Sequence, residues 1–207
     1  MEDLWLAWAK RVYALASTGV FFGAHEFDKE RYQEIADIAQ SMMAALGAVP
    51  LNQVVGLFPD HGQGYMTPKV DVRGAVIRDN HILLVQEKSD GLWTLPGGYA
   101  DVGYSAAENI VKEISEEAGL DVRATKLFAV HHKAKHAYRA DARDFYKFFF
   151  LTEELHDQTP NAGYEVSAAE FFSIDALPPL STGRVLERDI NLAFEFYRDP
   201  GQATRFD

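Results

Sequence analysis

The sequence predicts an α/β protein, a mixed sheet between helices, preceded by a small N-terminal helical domain. Three observations carry this expectation. Apolar residues recur at helical spacing up to about residue 47, and short apolar runs bounded by turn residues follow from Lys69. One strongly specified helix interrupts those runs, which places helices and sheet in the same unit. The chain of 207 residues is 47% hydrophobic and 25% charged, enough to bury a core in one or two domains.

Taken in order, Leu4, Trp5, Trp8, Val12 and Leu15 mark an amphipathic helix with Gly19 as its stop. Asp28 is the expected N-cap of a second helix; Ile35, Ile38, Met42 and Leu46 form its apolar side and Gly47 ends it. This hairpin has too few residues for a secure core of its own. Pro50, Pro59, Gly62, Gly64 and Pro68 make residues 48–69 irregular, so the division falls near Tyr65, giving domains 1–64 and 65–207. Val70, Val72, Ala75, Val76 and Ile77 predict a strand, Asp79-Asn80 a turn, and residues 82–85 the returning strand. A short strand at Trp93-Thr94-Leu95 runs into the Pro96-Gly97-Gly98 turn. A helix over 106–118 follows, then strands at 127–131, 145–151 and 170–174 and a last helix over 184–198.

The absence of cysteine removes disulfides, cysteine zinc sites and cysteine nucleophiles. Met1-Glu2-Asp3 is acidic where a secretory leader is basic. The apolar run at residues 12–22 is broken by Ser17, Thr18 and Gly19. A soluble, cytoplasmic protein with no membrane association is expected. A net charge of −11 disfavours a nucleic-acid partner. An acidic protein can still hold an anionic small molecule through bridging cations.

The most informative segment is the central helix and the turn before it. Ser105 and Glu108 fit a capping box, and Gly119 supplies a left-handed stop. Glu113, Glu116 and Glu117 stand at i, i+3 and i+4, on one face. Such an oxygen-rich cluster suits Mg²⁺ or Mn²⁺, against the ordinary alternative of a solvated acidic face. Gly98 allows a backbone carbonyl to approach the same ions.

The segment resembles the Nudix box, G-x5-E-x7-R-E-U-x-E-E-x-G-U with U aliphatic. Gly98, Glu113, Ile114, Glu116, Glu117, Gly119 and Leu120 match in register; Tyr104 replaces the early glutamate and Lys112 the arginine. Lysine keeps the charge and loses the planar fork. The resemblance implies a Nudix α/β/α sandwich with a mixed sheet, and metal ligands Glu113, Glu116 and Glu117 joined by the Gly98 carbonyl. The N-terminal helices and the segments Tyr65-Met66-Thr67-Pro68-Lys69-Val70 and Leu177-Pro178-Pro179-Leu180-Ser181 look like a subgroup resembling CDP-choline or ADP-ribose pyrophosphatases. That resemblance, with the Trp5/Trp8 stripe, implies a homodimer formed through the N-terminal helices.

The expected reaction is metal-dependent hydrolysis of the phosphoanhydride of a nucleoside-diphosphate derivative, CDP-choline-like or ADP-ribose-like. Bound metals would neutralise the diphosphate and acidify a water. Candidate general bases are Glu116, Glu165 and Glu170, with Glu165 favoured because related pyrophosphatases place the base on a loop after the sheet. Substrate-binding candidates are Arg73, Lys112, His132, Lys135, His136 and Tyr146. Lys135 and His136 belong to the cationic run 131–136, and Tyr146 stands with Trp93, Tyr99 and Phe145 as rings able to stack on a base. For Arg73 the alternative is an edge-strand charge. Two rival functions are a nucleotide sensor without turnover, suggested by Tyr104 and Lys112, and an RNA-directed hydrolase.

Overall fold

The computed structural model describes residues 3–207, which form two compact units. One unit runs through Lys69 and includes Ala140–Phe145; the other comprises Val70–Arg139 and Tyr146–Asp207.

In the first unit, α1 (Leu4–Phe22) and α2 (Glu26–Gly47) pack as a hairpin, followed by a short α3 (Leu51–Val55) inside the stretch expected to be irregular. Gly19 does not stop α1. A Cβ there would lie 2.5 Å from the Tyr32 ring, so this glycine lets α2 approach. Asp28 is not the cap of α2 either. His25 occupies that position, and Asp28 sits in the first turn, paired with Arg31 at 3.1 Å. There its charge favours the helix dipole. The left-handed residue after α2 is Ala48, with φ 49°. The hairpin core is built from Leu6, Ala9, Tyr13, Ala16, Ala36, Ala39 and Met43. The larger apolar stripe lies outside: Leu4, Trp5, Trp8, Leu15, Ile35, Ile38 and Leu46 are all exposed.

The second unit is an α/β/α sandwich. Among the described residues its strands are β1 (Lys69–Arg78), β2 (His81–Glu87), β3 (Trp93–Thr94), β4 (Val122–His132), β5 (Phe145–Glu154), β6 (Val166–Ser173) and β7 (Arg205–Phe206). Their order is β3-β2-β1-β5-β4-β7, with β6 also on β2. The β4–β7 pair is parallel and the β1–β2, β2–β3, β2–β6 and β4–β5 pairs are antiparallel, so the sheet is mixed. Asp79 and Asn80, both at positive φ, make the tight β1–β2 turn that the sequence announced. Alternation along β2 sends Leu83 and Val85 to one face and Ile82 and Leu84 to the other. The first face packs on Ile110, Ile114 and Ala118 of α4 (Ala106–Ala118). The second packs on Ile190, Ala193, Phe194 and Phe196 of α5 (Glu187–Arg198).

Several bounds differ from expectation for local reasons. β4 begins at Val122 because its ladder with β5 runs from Val122↔Glu154 to His132↔Tyr146, through polar residues that an apolar criterion passes over. β6 starts at Val166 and ends at Ser173, paired along the whole of β2. α5 starts at Glu187 because the amides of Arg184 and Val185 are taken by the Ser181 carbonyl. Asp189 then accepts the Leu186 amide at 2.9 Å. No helix among the described residues is long and apolar enough to cross a membrane.

Candidate active site

α4 is bounded as its sequence dictates. Ser105 Oγ accepts the Glu108 amide at 3.2 Å, Glu108 Oε2 accepts the Ser105 amide at 2.7 Å, and Gly119 ends the helix at φ +65°. One face carries Ile110 and Ile114 into the core; Glu113 lies at its half-buried edge, Glu117 is buried and Glu116 is exposed.

The turn over this face requires glycine. Gly97 has φ +134°, and a Cβ there would fall 2.0 Å from the Val72 carbonyl oxygen. Its amide donates to Glu117 Oε2 at 2.8 Å. A Cβ on Gly98 would lie 3.0 Å from Glu113 Oε1, so the turn backbone rests against both carboxylates. The Gly98 carbonyl accepts the Val72 amide at 2.9 Å, leaving one lone pair for a cation. Burial pushes the Glu117 carboxyl up to about 7, with Glu113 and Glu87 adding repulsion while Arg73 and the Gly97 amide oppose it. Burial also raises Glu113, with Glu116 and Glu165 adding to the rise and Arg73 and Lys112 resisting it.

These carboxylates pass the chemical test for a hard divalent cation: oxygen donors, partly desolvated, whose charged form is disfavoured until positive charge arrives. Among the described residues, no three acidic or histidine side chains already converge to hold one. The third carboxylate is paired elsewhere: the Lys112 ammonium lies 3.0 Å from Asp101 Oδ2 and 3.1 Å from Glu116 Oε2.

Glu165 is exposed on the loop before β6 and is close enough to act electrostatically on Glu113. The loop is tied to the end of α4 by Asn161 N–H to Ala118 O at 2.8 Å and Gly163 N–H to Glu117 O at 3.0 Å. A Cβ on Gly163 would fall 1.7 Å from the Glu116 carbonyl oxygen, a requirement for glycine that the sequence reading missed. Glu170 lies within β6, opposite Leu84.

The expected substrate contacts are dispersed. Arg73 is 5% exposed and donates to Asp71 at 2.9 Å and to the Leu95 carbonyl at 3.1 Å, so its guanidinium is directed inward. Lys135 is exposed in a 3-10 turn over Lys133–Lys135. His132 and Tyr146 form a cross-strand pair with rings 5.7 Å apart, and Tyr146 is exposed. His136 is paired with Asp207 at 2.5 Å and with Arg188.

Asn109 was also missed. Buried in α4, it accepts the Asp101 amide at 2.8 Å and donates to the Ser105 carbonyl at 3.1 Å, pinning the loop between turn and helix. A polar residue one position before Ile110, on the core side of an amphipathic helix, was the available signal.

A glycine turn closed on the carboxylates of a capped acidic helix, at one side of a mixed sheet, is the frame of a Nudix hydrolase. The NUDIX domain model matches residues 68–192, and the chain belongs to the Nudix family. A second model, described as the UDP-X-like, N-terminal oligomerisation domain, matches residues 3–58. The Bacillus subtilis (strain 168) protein YjhB, named provisionally as an ADP-ribose pyrophosphatase, is 41% identical over 100% of this chain and 99% of its own. The crystal structure of an ADP-ribose pyrophosphatase from Streptococcus suis 89-1591 is 43% identical, covering 68% of this chain and 100% of that one, with a TM-score of 0.62. A crystal structure of UDP-X diphosphatase is 30% identical, with 98% of both chains covered and a TM-score of 0.63.

Proposed function

We propose that this Nudix hydrolase cleaves the phosphoanhydride bond of a nucleoside-diphosphate derivative, with ADP-ribose the leading candidate, using Mg²⁺ or Mn²⁺. One observation carries the site reading: the buried Glu117 carboxylate is locked on the Gly97 amide, beside Glu113. The substrate rests on the end-to-end likeness to YjhB. Glu113, Glu116, Glu117 and the Gly98 carbonyl would hold the cation, Glu116 being the one now paired with Lys112. When bound, the cation supplies charge neutralisation of the diphosphate and acidification of an attacking water. Glu165 on its tethered loop would take a proton from the attacking water, with Glu116 the alternative base. Lys135 offers a point charge to a phosphate, and the His132–Tyr146 pair offers a ring to the base.

The division into an assembly domain (1–64) and a hydrolase domain (65–207) belongs to this proposal, as does a cytoplasmic location. The N-terminal hairpin buries alanines with Leu6, Tyr13 and Met43 in its own core and leaves Trp5, Trp8 and Leu15 outside, a pattern that fits a homodimer. A monomer at micromolar concentration by light scattering would remove that part.

The test of substrate is a comparison of kcat/KM for ADP-ribose, a UDP-sugar and CDP-choline with Mn²⁺. ADP-ribose is expected to lead. A lead for the uridine or cytidine compound reassigns the base while keeping the chemistry. Tight binding without turnover of any of them moves the protein to the sensor reading.

A further inference from the structure

We infer that Arg73 is a positioning residue of the hydrolytic site, acting from beneath the glycine turn as the end of a buried chain, Lys147–Asp71–Arg73. The inference rests on the proposed role of Glu113 and Glu117 as cation ligands.

Lys147, Asp71 and Arg73 are 0%, 5% and 5% exposed. Lys147 on β5 pairs with Asp71 Oδ2, and Arg73 Nε donates to Asp71 Oδ1 at 2.9 Å. The other branch of the guanidinium donates to the Leu95 carbonyl at 3.1 Å. Two backbone bonds continue the same seam, Gly74 N–H to Pro96 O at 3.0 Å and Val72 N–H to Gly98 O at 2.9 Å. Three of the four carbonyls in residues 95–98 are thereby held by β1. The Gly97 amide remains to aim at Glu117. Among the described residues Arg73 supplies the side-chain bond of this seam, and its planar guanidinium reaches a carboxylate and a carbonyl through separate nitrogens held in one fixed geometry.

Charge leads to the same assignment. Two cations and one carboxylate leave a buried surplus of one positive charge, which costs too much to keep unless an anion lies near. Glu117, Glu113 and Glu87 supply it, all within electrostatic reach of Arg73. The cation on α4 itself, Lys112, is turned to Asp101 and Glu116. The positive charge at Glu117 therefore comes from β1 beneath the turn, where the box position alone suggests the helix.

A purely electrostatic role and a positioning role predict opposite signs. On the high-pH plateau of Mn²⁺ affinity, where both carboxylates are ionised and no proton competes, removing a positive charge beside them should tighten a divalent cation. Losing the geometry of the turn should weaken it. The experiment is Mn²⁺ titration, on that plateau, of full-length wild type and Arg73→Gln by EPR without substrate, with amide exchange at Gly97 followed by NMR in the metal-free protein. Arg73→Gln is expected to bind Mn²⁺ about tenfold more weakly, the usual scale for groups that orient ligands. Its Gly97 amide should exchange faster, and kcat should fall while KM stays within about twofold. Arg73→Lys should restore little, because charge without the fork does not reach Leu95. Should Arg73→Gln fail to fold, Lys147→Met reads the same chain one link away, with a smaller loss of the same sign. Unchanged or tighter Mn²⁺ binding in a folded Arg73→Gln overturns the inference. A wild type that takes up no Mn²⁺ overturns the cation reading beneath it.

Discussion

Glu117 makes the stability of the metal-free protein depend on pH in a direction opposite to that of an ordinary surface carboxylate. Its carboxyl is raised by burial from 4.5 to about 7. The folded state therefore holds a proton that the unfolded state has released between those values. A raised group contributes stability fully below the unfolded value, and that contribution is lost as pH rises through the folded value. The span corresponds to about 3 kcal/mol. With EDTA present, urea unfolding at fixed protein concentration should show wild type losing stability between pH 5 and pH 8 relative to Glu117→Gln, which cannot ionise. Mn²⁺ should reverse the trend, because the ligand is the ionised form and its stabilisation grows with pH. Parallel stability–pH curves for wild type and Glu117→Gln would show that Glu117 carries no raised proton affinity in the folded state.

Three further outcomes follow from particular contacts. Gly97→Ala forces a side chain onto the Val72 carbonyl at a positive φ and should cost at least about 1–3 kcal/mol by urea unfolding and abolish turnover. Asn109→Ala leaves the Asp101 amide without its buried partner and should cost about 1–3 kcal/mol, with faster proteolysis in residues 99–105 as the second readout. Trp8→Asp places a charge on the exposed apolar stripe of α1 and should shift the proposed dimer to monomer by light scattering while helix content by circular dichroism holds.

The hydrolase half was legible where local chemistry is self-contained. The capping box, the Gly119 stop, the Asp79-Asn80 turn and the glutamate spacing each rest on contacts within a few residues. What failed to show was set by partners distant in sequence. Gly19 looks like a stop until Tyr32 of α2 is seen against it. The large apolar stripe of α1 is visible in the sequence, but the inward face built from Ala9, Tyr13 and Ala16 is not, because its partners lie on α2. Arg73 reads as a substrate contact, or else as an edge-strand charge, because nothing near it in sequence reveals Lys147 across the sheet. Glu165 could be singled out, but the glycine that ties its loop to α4 could not, since that contact joins residues 116 and 163.

Under the proposed function, the carboxylates at the Gly97 turn hold the cation for phosphoanhydride hydrolysis. The most direct test is the release of AMP and ribose phosphate from ADP-ribose by wild type and Glu117→Gln, with Mn²⁺ and with EDTA. Wild type should turn over with Mn²⁺ alone, and a folded Glu117→Gln should lose at least about a hundredfold, the scale of removing a principal stabilising group. Turnover that survives both EDTA and the substitution would contradict that role of the carboxylates.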